Sequence, residues 1–316
     1  MVSVCLENGK VLVRNKARPR RPEGFALIRL LYGGICNTDI ELQRGYYGFR
    51  GTPGHEFVGE VVEADDGRWV GERVVGEINL ACGKCEWCAR GLGRHCPTRT
   101  VLGIVKQPGA FREFLTLPER NLRRVPREIP SQEAVFVEPL AAACEILDQV
   151  RIPRGAPVAV LGDGKLGLLV SQVLHAHGAQ VHQYGRHKEK LRMARQWGVS
   201  TEIAKKLPVG KYEFVVEATG SSDGLRQAVQ MTQPRGTVIM KSTVHGLVGI
   251  DTAPVIVNEI TLVGSRCGRF EPALKLLKSR KVRVDAMISE VLPLKRAPRA
   301  FQEAAKSGVL KVLLHD

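Results

Sequence analysis

Residues 157–184 limit the possible folds of this 316-residue chain more than any other stretch. Pro157-Val158-Ala159-Val160-Leu161 is a short apolar run of the kind that forms a buried strand. Gly162-Asp163-Gly164-Lys165-Leu166-Gly167 follows, then a helical stretch from Leu168 to His177, then Gly178 and a second strand, Gln180 to Tyr184. GxGxxG alone is weak evidence, but between a strand and a helix it has a mechanism. The first glycine makes the turn, the second lets a pyrophosphate approach the backbone, and the third lets helix pack on strand. Phosphates then rest on the helix N-terminus, where amides and dipole favour negative charge. The alternative is a mere glycine-rich turn. The segment predicts a parallel α/β domain that holds a dinucleotide at Gly162, Gly164, Lys165 and Leu166.

The end of the second strand bears on which dinucleotide. An acid there accepts the ribose hydroxyls of NAD, whereas a small residue followed by arginine accommodates the extra phosphate of NADP. Here Tyr184 is followed by Gly185, Arg186, His187 and Lys188, with Gly185 twenty-three positions beyond Gly162. The competing reading is an exposed basic turn. NADP(H) is expected in preference to NAD(H), and Gly185→Asp is expected to restore a ribose acceptor.

Cysteines carry the second message. Of eight, four fall within fifteen residues, at Cys82, Cys85, Cys88 and Cys96. In a cytosolic chain such clustering favours metal over disulfides. Two overlapping CxxC turns can direct three sulfurs inward, and the seven-residue loop returns a fourth. Four thiolates fill the coordination sphere of Zn²⁺, so the site at 82–96 is expected to be structural. An iron–sulfur cluster also uses four cysteines, but zinc is the preferred reading. A thioredoxin-like pair would need no third and fourth cysteine.

A more dispersed set completes the chemistry. Cys36 lies in Gly33-Gly34-Ile35-Cys36-Asn37-Thr38-Asp39 after a strand-like run; His55 and Glu56 follow Pro53-Gly54; Glu138 stands in Val137-Glu138-Pro139-Leu140 before an alanine-rich helix. Singly, each has a bland reading: a small core residue, a hydrogen-bonded turn residue, a helix N-terminal acid. Together they supply the thiolate, imidazole and carboxylate that can hold zinc with one position open.

Composition sets the outer bounds. Apolar residues at 44% and charged residues at 25% exclude a mostly disordered chain. No apolar run reaches the ~18 residues of a membrane-spanning helix, and MVSVCLENGK lacks the pattern of a signal peptide. A soluble, cytoplasmic protein is expected. The net charge of +15 suits a phosphorylated cofactor, an acidic surface or nucleic acid. It equally suits a basic surface kept for solubility, and no Lys/Arg tail stands out.

These motifs, in this order, resemble the zinc-containing medium-chain alcohol dehydrogenase superfamily, in its threonine, sorbitol and glucose dehydrogenase-like branch. The resemblance spans the whole chain and includes Val216-Glu217-Ala218-Thr219-Gly220, Gly264-Ser265 and Lys311-Val312-Leu313-Leu314. It implies an α/β fold in which a GroES-like β-barrel catalytic domain accompanies a Rossmann doubly wound parallel-sheet cofactor domain. The expected domains are 1–142 with the zinc lobe at 82–96, the cofactor domain at 143–285, and a return to the catalytic domain at 286–316, with the active site in the cleft between them. It implies two Zn²⁺ per chain: Cys36, His55 and a carboxylate, Glu56 or Glu138, at the catalytic ion, and the four lobe cysteines at the structural one. Thr38 matches the hydroxyl residue that passes the substrate proton outward, and Thr219 and Gly220 join the cofactor-binding set.

The implied function is zinc-dependent hydride transfer between NADP(H) and a secondary alcohol, polyol or sugar, by a homo-oligomer. A zinc-stabilised nucleic-acid binder would not need the ligand set and the glycine fingerprint. A quinone reductase of the same fold would lack the zinc ligands. Glu41 stands where threonine dehydrogenase-like relatives carry histidine, which argues against that substrate. The short stretch from Cys36 to His55, with Tyr46, Tyr47 and Phe49, implies a remodelled pocket rim.

Overall fold

In the computed structural model, which describes residues 1–244 and 247–316 (the side chain of Tyr47 excepted), the chain divides into two units. One comprises Met1–Glu138, Ala273–Lys278 and Val284–Asp316; the other comprises Pro139–Pro272 and Ser279–Arg283.

The first unit opens with the antiparallel hairpin β1 (Val2–Glu7) and β2 (Lys10–Asn15). The strands β3 (Phe25–Gly34), β4 (Glu56–Glu63) and β5 (Arg73–Gly76) follow. Three short strands, β6 (Asn79–Leu80), β7 (Thr100–Leu102) and β8 (Lys106–Gln107), make a small sheet. Next come β9 (Phe114–Pro118) and β10 (Leu122–Arg124). The second unit contributes β11 (Pro157–Leu161), β12 (Gln180–Gly185), β13 (Ser200–Ile203), β14 (Tyr212–Glu217), β15 (Thr232–Met240) and β16 (Thr261–Gly264). The strands β17 (Ile288–Pro293) and β18 (Lys311–His315) belong again to the first unit.

In the first unit seven strands form a sheet ordered β10-β5-β4-β3-β18-β17, with β9 also paired to β3; among the described residues of this sheet, only β17 and β18 pair in parallel. β3 is the centre because Ala26, Leu27, Ile28 and Leu30 are all buried, each large side chain contributing about 1.5–3 kcal/mol over exposure. The register of β3 on β4 places Gly34 opposite Glu56. That pairing brings the residues just beyond Gly34 and just before Glu56 to one end of the sheet.

The second unit is a six-stranded, all-parallel sheet ordered β13-β12-β11-β14-β15-β16. Its central strands read as near-continuous apolar runs, with Val158, Ala159, Val160, Val215 and Val216 fully buried, as strands covered on both faces must. The order reverses between β11 and β14, the switch point outside whose strand ends such sheets bind ligands. Helix Lys165–His177 starts at the Gly164 N-cap and ends on Gly178 in the left-handed region at φ 103°. Among the described residues, no helix is long and apolar enough to cross a membrane.

Candidate metal and cofactor sites

Cys36 leaves the end of β3 as the N-cap of helix Asn37–Gln43, and His55 immediately precedes β4. The β3–β4 register therefore delivers a thiol and an imidazole together. The donor atoms of Cys36, His55 and Glu56 all lie within 4.8 Å of one another. The Thr38 hydroxyl lies 3.8 Å from the Cys36 sulfur. Glu138, on the first turn of helix Val137–Gln149, is not part of that group of three and has interactions of its own.

Two residues to which sequence reasoning gave no role in the site organise this group. Asp39 is wholly inaccessible to solvent. It accepts the Cys36 amide at 2.9 Å and the Gly54 amide at 3.0 Å, and its Oδ1 stands 3.6 Å from His55 Nδ1. Burial alone would lower the His55 pKa, but Asp39 and then Cys36 raise it well above the ordinary value. An imidazole with Nδ1 turned to a carboxylate keeps Nε2 for a metal.

Lys311 on β18 is 1% exposed and donates to Glu56 Oε2, itself on a side chain 1% exposed. Burial works against the ammonium, yet Glu56, Cys36 and Asp39 together raise its pKa. A lysine at the head of an otherwise apolar strand was the only sequence signal for it. The donor chemistry, one sulfur, one imidazole nitrogen and one carboxylate, fits a zinc site with an open position.

The second cluster is the four-cysteine lobe. Helix Glu86–Ala89 follows Cys85, and a single 3₁₀ turn, Gly93–His95, delivers Cys96. Cys82, Cys85, Cys88 and Cys96 place their sulfurs within 4.8 Å of one another, with separations of 3.9 Å (Cys82–Cys88), 3.4 Å (Cys85–Cys88) and 3.8 Å (Cys85–Cys96). Zn–S bonds of about 2.3 Å in a tetrahedron imply S···S edges of about 3.8 Å, so the sulfurs are spaced for zinc. None is in a disulfide. The Cys82 amide and Thr98 pull the Cys96 thiol down to about 6. Cys85, despite the Cys88 amide, is pushed up to about 11 by burial and its neighbouring thiols. Four sulfurs so close cannot all ionise without a cation between them. Asn121 anchors the base of the lobe, donating to the carbonyls of Glu77 and Asn79 at 2.7 and 3.0 Å.

In the second unit, the fingerprint turn lies where β11 meets the switch point. Gly162 has φ 120°, and a Cβ there would stand 2.4 Å from the Ala218 carbonyl oxygen; only glycine fits. Beside it, Glu217 ties the next strand ends. Its Oε1 accepts the Thr219 amide (2.8 Å), the Thr219 hydroxyl (2.6 Å) and the Ser242 hydroxyl (2.9 Å), while the Gly220 amide donates to Ser242 Oγ at 2.8 Å. Lys241, just past β15, donates to Ser265 Oγ and to the carbonyls of Ala142 and Arg266. The sequence placed Glu217 in the Val216–Gly220 motif without giving it a role and did not single out Lys241; Glu217 closes β14 and Lys241 follows β15.

Arg186, in the turn after β12, and Lys188, which opens helix Lys188–Gln196, are exposed, with His187 half-buried between them. The acid absent from position 185 is supplied from elsewhere: Asp163, inside the fingerprint, reaches the end of β12 and bonds the turn. The expectation that Gly185→Asp alone would restore a ribose acceptor is therefore corrected. A Cβ at 185 would lie 2.5 Å from both Cβ and Oδ2 of Asp163.

Residues 22–127 match the family described as the alcohol dehydrogenase GroES-like domain, and residues 166–279 the family described as zinc-binding dehydrogenase. Sorbitol dehydrogenase of Halalkalibacterium halodurans is 29% identical, across 97% of this chain and 96% of its own. Erythritol/L-threitol dehydrogenase of Mycolicibacterium smegmatis is 28% identical, across 88% and 86%. A zinc-binding dehydrogenase from Sinorhizobium meliloti, solved bound to NADP, superposes with a TM-score of 0.91 at 29% identity, covering 100% of this chain and 99% of that one.

Proposed function

Because the chain belongs to the zinc-containing medium-chain alcohol dehydrogenase superfamily, in its sorbitol dehydrogenase-like branch, and is an alcohol or polyol dehydrogenase, we propose a zinc-dependent reaction with NADP(H) preferred over NAD(H). The substrate class is a secondary alcohol, polyol or sugar and its carbonyl. The observation that carries this reading is the gathering of Cys36, His55 and Glu56 beside the Thr38 hydroxyl.

Cys36 and His55 would hold one zinc ion with Glu56 or Glu138 as the carboxylate; the proximity of Glu56 favours it. Cys82, Cys85, Cys88 and Cys96 would hold a second ion with no open position. When bound, the first ion supplies a Lewis acid that polarises a carbonyl or acidifies an alcohol. Thr38 takes the proton of the substrate hydroxyl and passes it outward. Asp39 sets its carboxylate against the His55 ring, and Lys311 neutralises Glu56 so that the buried group carries less net negative charge. In the second unit, Gly162, Gly164, Lys165 and Leu166 would receive the pyrophosphate at the helix start. Thr219 and Gly220 follow the end of β14 beside that turn, and Arg186, His187 and Lys188 would form the basic turn that receives a 2′-phosphate. Metal analysis of the purified protein should return two zinc ions per chain; one or none overturns the assignment of two sites.

The protein is also proposed to be a homo-oligomer. Strand β16 ends the parallel sheet, and its outer edge has no strand partner among the described residues. Near it, Leu262, Ile256 and Val257 are exposed. An apolar, unpaired edge is a template for another strand, and a second copy of β16 satisfies it symmetrically.

A further inference from the structure

We infer that Asp163 is a positioning residue for cofactor choice: reaching over from the β11 turn, it fills the corner at the end of β12 and sets the Arg186–Lys188 turn for a 2′-phosphate. This rests on the NADP(H) reading above and deepens it.

The geometry is specific. Oδ2 of Asp163 accepts the Arg186 amide at 2.7 Å and the His187 amide at 2.6 Å. His187 Nδ1 lies 3.1 Å from both carboxylate oxygens. Asp163 is 7% exposed, and although burial opposes its ionisation, His187 and the Arg186 amide hold the carboxyl below its ordinary range. This carboxylate is committed to its own chain. Two amides and an imidazole take three of its roughly four acceptor sites, so it offers a ribose hydroxyl little.

The same contacts fix the turn. With the amides of 186 and 187 drawn inward, Arg186 and Lys188 are left exposed. The Asp163 carboxylate and exposed Glu189 stand against Arg186, Lys188 and Lys190, so the segment keeps a net positive field for a phosphate.

Position 185 follows from this. Any side chain there would begin 2.5 Å from Asp163. Residues 163 and 185 are thus one coupled feature: the acid can stand on one strand end or the other, not both. A glycine at 185 read alone looks like a missing acid. In the fold it is the space that Asp163 occupies.

Binding of NADPH, NADH and adenosine 2′,5′-bisphosphate to the zinc-loaded enzyme, by isothermal titration, tests this. Asp163→Asn keeps the shape but turns one acceptor into a donor. It is expected to weaken NADPH and the bisphosphate about 10-fold or more, the scale of one lost charged hydrogen bond, and NADH far less. Were Asp163 only a like charge near the phosphate, removing it would tighten NADPH, and that result overturns the inference. Equal losses for both dinucleotides also overturn it, since they mark a general structural staple. Gly185→Asp alone should not improve NADH binding, whereas Asp163→Ala with Gly185→Asp should tighten NADH at least 10-fold over the single variant. If Gly185→Asp alone converts the enzyme to NADH, the coupling is absent. A wild type that prefers NADH refutes the NADP(H) reading, while the single-to-double comparison on NADH still decides whether 163 and 185 are coupled.

Discussion

Lys311 and Asp39 show how much of this site depends on residues whose role is visible only in three dimensions. Removing one partner of a buried ion pair leaves an uncompensated charge, costing about 3–5 kcal/mol. In the Cys36→Ala background, where no zinc ion compensates Glu56, Lys311→Met should therefore lower the free energy of unfolding by an amount in that range, measured by denaturant unfolding, and adding Glu56→Gln should recover part of the loss. A Lys311→Met variant as stable as its Cys36→Ala parent would mean that Glu56 has another partner for its charge. Thr38→Val should keep zinc content and cofactor affinity but slow turnover ~100-fold or more, the usual worth of positioned proton transfer; a near-normal rate across pH removes Thr38 from the relay. Arg186→Ala should weaken NADPH about 10- to 150-fold and leave NADH almost unchanged by the same titration; equal losses would make the basic turn mere surface. The thiol, imidazole and carboxylates were legible because few other residue types can bind zinc. Asp39 sat in plain view beside Cys36, but its meaning depends on Gly54 and His55, which only the strand register brings to it. Lys311 lies 255 positions from Glu56, and no local pattern joins them.

At the scale of elements, the legible parts were those whose function is local. The four-cysteine lobe spans fifteen residues and closes on itself, so its spacing alone carried the reading, and the sulfur separations fit it. Closed structural sites contribute folding free energy directly. Replacing Cys85 or Cys88 by serine should thus lower the melting temperature and release one zinc, as followed by calorimetry with metal analysis. A variant that lost that zinc without loss of stability would show the lobe to be independent of the fold. The strand–fingerprint–helix segment was equally legible, because the glycine pattern and apolar run sit side by side. What the sequence concealed was the corner formed by β11 and β12, where Asp163 and Gly185 meet across parallel strands. A residue's position in a motif says which strand it leaves, not which strand end it reaches.

For the whole molecule, two sheets of different character account for the division of labour. The mixed sheet carries Cys36, His55 and Glu56 at one end of the β3–β4 pair; the parallel sheet carries the Gly162–Gly167 turn at its switch point. The exposed edge of β16 predicts assembly: light scattering should give a multiple of the 34.7 kDa chain mass, and Leu262→Lys with Ile256→Asp should yield the monomer. A monomeric wild type would refute the edge-to-edge proposal. The central claim is that hydride transfer to NADP⁺ depends on the metal held by Cys36 and His55. Its most direct test is NADPH formation across a panel of secondary alcohols, polyols and sugars, comparing wild type with Cys36→Ala at known zinc content. The account predicts that wild type with two zinc ions turns over at least one of them, and that Cys36→Ala, folded and retaining the lobe zinc alone, turns over none. A Cys36→Ala protein with one zinc that still forms NADPH at the wild-type rate would contradict it.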